Sequence, residues 1–263
     1  GRAGPRGRAG SKRLAGVRYS AESQQFFDRV STQSATRKTQ YAALIDALTT
    51  AGVWSKLDAL YILAAADAAT ALTNLKSSSF GATAVNAPTF TADRGYAGNG
   101  TSSYVNTNYT PSLAGGNLTL NSASIGLWSR TAASSGNGGI PMGASDGSSY
   151  ILFVHPRNDS DVARQRVNTG TLGSQANTDG RGLYTAVRTS SGADRLYKNA
   201  TQLGSDNVNA STDLASTEIW LGGASALSPL YATTQIAAGG LSAGEVNALY
   251  NALNTYMTSV GAA

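Results

Sequence analysis

The chain has 263 residues, of which 41 % are hydrophobic and only 13 % charged, with a net charge of +5 and no cysteine. This length suits one large all-β domain with an appendage, or two modest domains, and the hydrophobic share is sufficient for a core. The lack of cysteine excludes disulfides, thiol catalysis and cysteine-ligated metals. No apolar run reaches the roughly 18 to 20 residues of a membrane span, so we expect no membrane partner.

The positive charge is concentrated at the start of the chain. Only basic charges precede Glu22, and without them the remaining chain has a net charge of −1. These residues are Arg2, Arg6, Arg8, Lys12, Arg13 and Arg18. We therefore treat residues 1–19 as a basic, glycine-rich tail, and nothing outside it predicts nucleic-acid binding.

Three interpretations of the tail stay open. Glycine at positions 1, 4, 7 and 10 keeps a Gly-X-Y register, which is typical of the end of a collagen-like stalk. A basic arm could instead contact nucleic acid or an acidic protein surface. The third interpretation is a disordered linker.

Residues 20–77 have helical periodicity and are interpreted as an attachment segment. Ser20 is placed to cap a first short helix, and a second is predicted from about residue 35 to 51, with Gly52 as its stop. Residues 53–63 and 65–75 are predicted as a third and a fourth helix. So few short helices form a small core, and we expect them to pack on the domain that follows, on a neighbouring copy or on a larger assembly.

Residues 78–263 have the pattern of an antiparallel sandwich with a closing helix at 242–257. A hairpin is predicted between residues 89–91 and 103–107, which flank a Gly-Asn-Gly turn at 98–100. Further strands are predicted at 118–120, 124–129, 150–155, 162–167, 183–189, 195–198, 217–221 and 230–237. Ser242 and Glu245 have the spacing of a capping box at the start of the closing helix. The spacing of short strands favours a mainly β sandwich or jelly roll over a parallel sheet.

Three segments carry a family resemblance. Residues 96–105, YAGNGTSSYV, resemble an early strand of laminin-G-like, concanavalin A-like domains. Residues 195–200, RLYKNA, resemble a hairpin of these domains, although Ala200 stands where the family usually has glycine. Residues 241–250, LSAGEVNALY, resemble the closing segment. Together with residues 51–76, they make the chain resemble bacteriophage and prophage proteins from about residue 40 to 260.

The resemblance implies a two-sheet jelly roll, a class in which glycans or proteins are often bound at a sandwich edge or on the concave face. Our hypothesis is a non-enzymatic virion structural protein on the phage particle surface, either a capsid decoration or a fibre or spike head. Its partners would be other virion proteins or copies of itself, and a bacterial surface glycan. The alternatives are a glycan-degrading depolymerase, and a cellular lectin or adhesin of prophage origin.

Few residues have the pattern of a catalytic site. A glycosidase needs two carboxyls that face one cleft, and Glu218 stands without an acid two residues on. His155 is the only histidine, so a multi-histidine metal site is excluded, and a structural role at a strand end is favoured over catalysis. We therefore predict no enzyme and no cofactor.

Loops are the better candidates for binding, because rigid β scaffolds carry their binding residues there. Asn158, Asp159, Asn207 and Asn209 are the candidate ligand-binding residues. Asp159 and Asp161 are also candidates for a calcium site, since calcium prefers oxygen ligands; the alternative is a solvated, Asx-rich turn.

Overall fold

A computed structural model describes residues 17–30, 32–99, 101–132, 140–222 and 234–263, with the backbone alone for residues 234–237. Its helices are α1 (Ala21–Phe27), α2 (Ala35–Thr50), α3 (Val53–Lys56), α4 (Ala68–Ala71), α5 (Pro111–Ala114) and α6 (Ala243–Ser259). Its strands are β1 (Leu57–Ile62), β2 (Thr83–Val85), β3 (Thr89–Thr91), β4 (Gly95–Ala97), β5 (Tyr104–Asn106), β6 (Ala123–Ser129), β7 (Met142–Ser145), β8 (Tyr150–His155), β9 (Val162–Val167), β10 (Gly173–Ala176), β11 (Gly182–Ser190), β12 (Ala193–Lys198), β13 (Thr201–Asn207), β14 (Trp220–Leu221) and β15 (Thr234–Ala238).

Two antiparallel sheets form the body of the protein. The first has six strands in the order β1-β15-β6-β11-β12-β13, and the second has seven in the order β10-β9-β8-β7-β14-β5-β2. Strands β3 and β4 form a separate hairpin. The predicted fold class, a mainly β antiparallel sandwich with helices before it and a helix at its end, is confirmed.

Two cores divide the described chain into three layers. The inter-sheet core lies between the two sheets and includes Ile125, Leu127, Leu152 and Val154. The second core lies on the other side of the six-stranded sheet. There α1, α2 and α6, which we call the helical layer, pack side chains such as Leu249 against the outward-facing residues of that sheet. Of the three expected placements for the helices, the structure shows packing on the sandwich.

The helix boundaries follow the predicted capping residues. The Ser20 side chain accepts a hydrogen bond from Ser23 N at the start of α1. Gly52 has a φ of 74°, the left-handed conformation expected just beyond a helix. In α6, Ser242 and Glu245 form the full capping box. The second helix and the closing helix are thus confirmed.

The third and fourth predicted helices are wrong over most of their length. Residues 57–62 form β1, an edge strand of the six-stranded sheet that is paired with β15, and only residues 53–56 are helical. Five of the six residues of this strand are buried, so both of its faces are covered. Such a strand reads as a continuous apolar run, which periodicity cannot distinguish from a buried helix. In residues 65–75, Asp67 caps a helix of only four residues.

The hairpin predicted across residues 98–100 is also wrong. Strand β3 pairs with β4, whereas β5 pairs with β2 and β14 in the seven-stranded sheet. The Asn99 side chain explains the difference, because its Oδ1 accepts hydrogen bonds from the backbone N–H groups of Thr101, Ser102 and Ser103. That bonding holds a loop between sheets in place of a two-residue turn, and Gly100 lies outside the described residues.

Most of the later strands are confirmed. Strands β8 and β9 have the predicted bounds, and β6, β11 and β12 contain the predicted segments. The RLYKNA segment turns between β12 and β13, with Asn199 at a φ of 58°. Residues 118–120 make only an isolated bridge, and residues 217–221 shrink to the two-residue β14. The strand expected at 230–237 is described only from Thr234.

Candidate functional site

The two sheets differ in what covers their outer faces. The core of the helical layer contains side chains from the six-stranded sheet, such as Trp128 and Leu183, and none from the described strands of the seven-stranded sheet. The central strands of the six-stranded sheet are therefore buried on both sides, whereas its edge strand β13 is largely exposed. The outer face of the seven-stranded sheet is the broader sheet surface that the helical layer leaves uncovered.

A row of side chains crosses this outer face. The strand register places Trp220 beside Gly143, Gly143 beside Phe153, and Phe153 beside Arg166. Leu221, the neighbour of Trp220, belongs to the inter-sheet core, so alternation directs the row to the outside. Four adjacent strands give the row a length of about 14 Å, comparable with a short oligosaccharide.

Two aromatic rings form one end of the row. The rings of Tyr104 and Trp220 have centroids 4.8 Å apart at an interplanar angle of 32°. Both side chains are half-buried. The indole Nε1 of Trp220 has no hydrogen-bond partner in the described part of the chain. This Nε1 atom is buried, so the pair presents to solvent the apolar surface of its rings and not the N–H donor.

A groove of about 330 Å³ forms the other end of the row. Phe153 and His155 are its most buried members, at 5 % and 2 % exposure. The described lining of the groove consists of Ile140, Ser149, Tyr150, Phe153, His155, Arg164, Arg166 and Leu172. Tyr150 reaches this face because of a bulge between β7 and β8, where Ser145 pairs with Tyr150 and Ala144 with Leu152. The extra residue reverses the alternation.

Arg166 is held in place above the groove. Its Nη1 donates a hydrogen bond to the backbone oxygen of Tyr150 at 2.7 Å. Its guanidinium carbon lies 5.7 Å from the centroid of the Phe153 ring, within the range of a cation–π contact. The side chain is therefore oriented before any ligand arrives.

His155 contributes no positive charge to the groove at neutral pH. Burial lowers the pKa of His155 to about 4, and the nearby charge of Arg164 lowers it further, whereas a hydrogen bond that His155 donates to the Arg157 backbone and the charge of Asp159 oppose that shift. The fixed positive charges of the lining are those of Arg164 and Arg166.

Gly143 leaves the middle of the row without a side chain, so the surface there is shallow. A Cβ atom at this position would lie 2.8 Å from the Cβ of Phe153 and 3.0 Å from a methyl carbon of Ile140. A larger residue would displace these neighbours, so the glycine leaves a shallow channel between Trp220 and Phe153.

A second concentration of polar groups is buried between the two sheets. Asp194 pairs in register with Arg188 and with Asn207, and both Asp194 and Arg188 have 0 % exposure. The Asn207 side chain faces the Asp194 carboxylate, and the amide of Gln165 has no hydrogen-bond partner in the described part of the chain. Burial raises the pKa of Asp194 to about 6, against the opposing charge of Arg188.

The predicted loop residues 158–161 follow His155, the last residue of β8 and a member of the groove lining. Asn158 is fully buried, and its Oδ1 accepts hydrogen bonds from the backbone N–H groups of Ser160 and Val162. Asp161 makes an ion pair with Arg157 at 2.7 Å. Asp159 is exposed, and its negative charge acts to raise the pKa of His155. In the described ranges, no three acidic or histidine side chains are grouped as a metal site would require, and calcium at Asp159 and Asp161 stays a prediction.

The other predicted ligand residues lie in a different region from this loop. Asn207 ends β13 and faces Asp194. The backbone oxygen of Asn209 accepts a hydrogen bond from Arg188. In the tail, Arg18 is exposed, whereas Arg2, Arg6, Arg8, Lys12 and Arg13 lie outside the described residues. The structure thus places Asn158–Asp159 and Asn207–Asn209 in separate surroundings.

Sequence reasoning missed Phe153, Arg164 and Arg166. The VARQRV segment carries a usable pattern, because its burial alternates strictly along β9 and puts both arginines on one face. The alternation alone could not reveal that this face lacks a helical cover, since the cover comes from residues distant in sequence.

Comparisons with known proteins show similarity of fold. No family model matches the chain, and no curated protein matches it by sequence. Domain 4 of AbnA, an extracellular GH43 arabinanase from Geobacillus stearothermophilus solved in complex with arabinotriose, is 17 % identical, with a TM-score of 0.50 over 74 % of this chain and 98 % of that one.

Two larger proteins contain a similar sandwich. A mutant Trypanosoma rangeli sialidase with trans-sialidase activity is 12 % identical, with a TM-score of 0.54 over 84 % of this chain and 38 % of that chain. The binding domain of botulinum neurotoxin serotype D is 12 % identical, with a TM-score of 0.51 over 75 % of this chain and 52 % of that chain. The chain spans only part of both proteins, and at these identities the likeness concerns the fold alone. Among the described helices, none has the length and apolar character to cross a bilayer.

Proposed function

We propose that this protein is a non-enzymatic, lectin-like module that binds a cell-surface glycan on the outer face of its seven-stranded sheet. The observation that carries the proposal is the row from Trp220 to Arg166 on the one sheet face that the helical layer leaves uncovered.

The residue types in the row suit carbohydrate. Aromatic rings stack on the apolar faces of sugars while their polar edges stay hydrated, and Tyr104 with Trp220 offers such a surface. Arginine provides several fixed N–H donors for hydroxyl oxygens. Because β strands hold all of these residues, little ordering cost remains to be met on binding.

The comparison with domain 4 of AbnA supports this proposal. That domain was solved with arabinotriose, and the present chain matches almost all of its length. Similarity of fold does not establish function, so the support comes from the agreement between a carbohydrate-bound relative in fold and the side chains present on this face.

We place the module on the surface of a bacteriophage particle, as a capsid decoration or as a fibre or spike head. This part of the proposal rests on the motifs at residues 96–105, 195–200 and 241–250 and on the basic tail. The helical layer and the tail would join the sandwich to other virion proteins or to copies of itself. Many copies on one particle would then multiply weak single sites.

The proposal excludes catalysis for reasons of chemistry. The described lining of the groove has no carboxylate, and His155 is neutral at pH 7 and buried. Glu218, two residues before Trp220, is a single half-buried carboxyl, whereas glycosidases use two carboxyls that flank the scissile bond.

Binding to a panel of immobilised bacterial surface polysaccharides tests the function. We expect at least one polysaccharide to bind the wild type, and Trp220→Ala to weaken that binding about tenfold, in line with the loss of one aromatic contact. Tyr250→Ala, which removes a half-buried ring on α6 in the helical layer, is the matched control and should bind normally. Equal binding by both variants would refute the site.

The same polysaccharides test the depolymerase alternative. We expect no release of oligosaccharide during incubation with the purified protein. Release that is lost in Glu218→Gln would overturn the non-enzymatic proposal. For the virion, antibodies against the chain should label phage particles from a host that carries the sequence, whereas labelling of host cells alone would favour a cellular lectin.

A further inference from the structure

We infer that the glycan is acidic, and that Arg164 and Arg166 hold the carboxylate of one sugar while the adjoining sugars extend toward Trp220. The inference rests on the proposed function and adds to it a chemical class of ligand and a direction of binding across the strands.

The first argument is the charge of the groove. Its described lining contains two arginines and no acidic side chain. The charge of Asp159, in the loop beyond His155, acts on the His155 end of the groove. A groove with two fixed positive charges and partly buried walls favours an anion, because the low local dielectric strengthens the attraction.

The second argument is the geometry of the arginines. Arg164 and Arg166 are two positions apart on β9 and share its outer face, which puts their Cα atoms about 7 Å apart. The guanidinium of Arg166 is already oriented by Tyr150 and Phe153. An oriented planar fork of N–H donors matches the two oxygens of a carboxylate.

The third argument is a contrast with other arginines. Arg37, Arg157, Arg181 and Arg195 each form an ion pair with an aspartate of the same chain. Arg166 is in none of the ion pairs of the described residues. Its guanidinium contacts a carbonyl and a ring, so its charge is not neutralised by a carboxylate of the described chain.

The direction of binding follows from the row. Its charged end lies at Arg166 and its aromatic end at Trp220, with the low channel over Gly143 between them. An acidic sugar at the first end places its neighbours over the second. This order assigns separate roles to the two ends, since the charged end distinguishes acidic from neutral sugars and the aromatic end contributes to binding of both.

The test uses uronate-containing bacterial polysaccharides, each beside its carboxyl-reduced form. We expect the wild type to bind an acidic form about tenfold more tightly than its reduced form, and Arg166→Gln to abolish that preference. Arg195→Gln is the matched control, because it removes the same charge from a strand arginine of the other sheet. Circular dichroism and the melting temperature verify that both variants fold, and Arg166→Lys should restore part of the preference.

The outcomes separate this inference from the function on which it rests. If acidic and reduced forms bind equally and both are weakened by Trp220→Ala, the acidic specificity is refuted and glycan binding stands. If no polysaccharide binds, the proposed function fails and the inference fails with it. A preference for the acidic form that survives Arg166→Gln would refute the assigned residue.

Discussion

The two outer faces of the sandwich are both formed by antiparallel strands, but they differ in what packs against them. The outer face of the six-stranded sheet lies under the helical layer, where Trp128, Leu183 and Val187 join the helix core. The outer face of the seven-stranded sheet has no such cover among the described residues and carries Trp220 and Arg166. The position of the helical layer therefore determines which sheet is covered on both faces and which keeps a face open to a ligand.

Burial along β6 and β9 reflects this difference, whereas β8 of the seven-stranded sheet is buried at five of its six positions, with Phe153 and His155 inside the groove. Every residue of strand β6 in the six-stranded sheet is buried. Half-buried and buried residues alternate along strand β9 of the seven-stranded sheet. A strand with two covered faces loses the period-two pattern, and a strand with one covered face keeps it.

The largest expected effect on stability comes from comparing two leucine truncations, one in the helical layer and one at the uncovered outer face. Leu249→Ala removes a side chain of 0 % exposure from the helical layer, and it should lower the free energy of unfolding by about 2 to 5 kcal/mol. Leu172→Ala, at 41 % exposure beside the groove, should change it by less than about 0.5 kcal/mol. Urea denaturation measures both. Similar losses would contradict the contrast between a covered and an uncovered face.

The next effect concerns two buried titratable groups, one between the two sheets and one on the outer face of the seven-stranded sheet. The pKa of Asp194, in the inter-sheet region, is raised to about 6, so Asp194 makes stability fall as pH rises from about 4 to 6. The pKa of His155, on the outer face, is lowered to about 4, so His155 makes stability rise over nearly the same range. The two contributions oppose each other in the wild type.

Single variants should therefore reveal opposite slopes. Between pH 4 and 6, Asp194→Asn should leave a stability that rises with pH, and His155→Gln one that falls, each by about 2 kcal/mol over the range. Urea denaturation at several pH values provides the test. If both variants follow the wild-type profile, neither group is perturbed by its surroundings as described.

A smaller effect tests the attachment of the closing helix. Ser242→Ala removes the side chain that caps α6 and also bonds the Glu245 carboxylate, and it should cost about 1 kcal/mol of stability. Ser148→Ala, at an exposed turn near the uncovered face, is a control that should cost less. An equal cost would show that the cap contributes nothing specific to the helical layer.

Much of the fold follows from local pattern, and the site does not. The capping residues Ser20, Gly52 and Ser242 mark helix ends, and the alternation of residues 150–155 and 162–167 marks strands, because these signals depend on near neighbours. The apolar run at residues 57–62 is compatible with a helix in the sequence, because a segment buried on both faces has no distinguishing period.

The candidate site depends on contacts between distant segments. Trp220 stacks on Tyr104 across more than a hundred positions, and it lies two strands from Phe153 only because β14 inserts between β5 and β7. No local signal in the sequence specifies that insertion. The loop at 158–161 had the composition of a ligand site, yet Asn158 uses its side chain to close its own turn.

The indole N–H resonances of the three tryptophans give the most direct test of a glycan-binding outer face. Trp54 and Trp128 lie in the core of the helical layer, and Trp220 lies on the outer face. On titration with the best-binding polysaccharide fragment, followed by NMR, the resonance of Trp220 should shift while the other two stay fixed. Shifts at Trp54 or Trp128 with Trp220 unchanged would contradict the account.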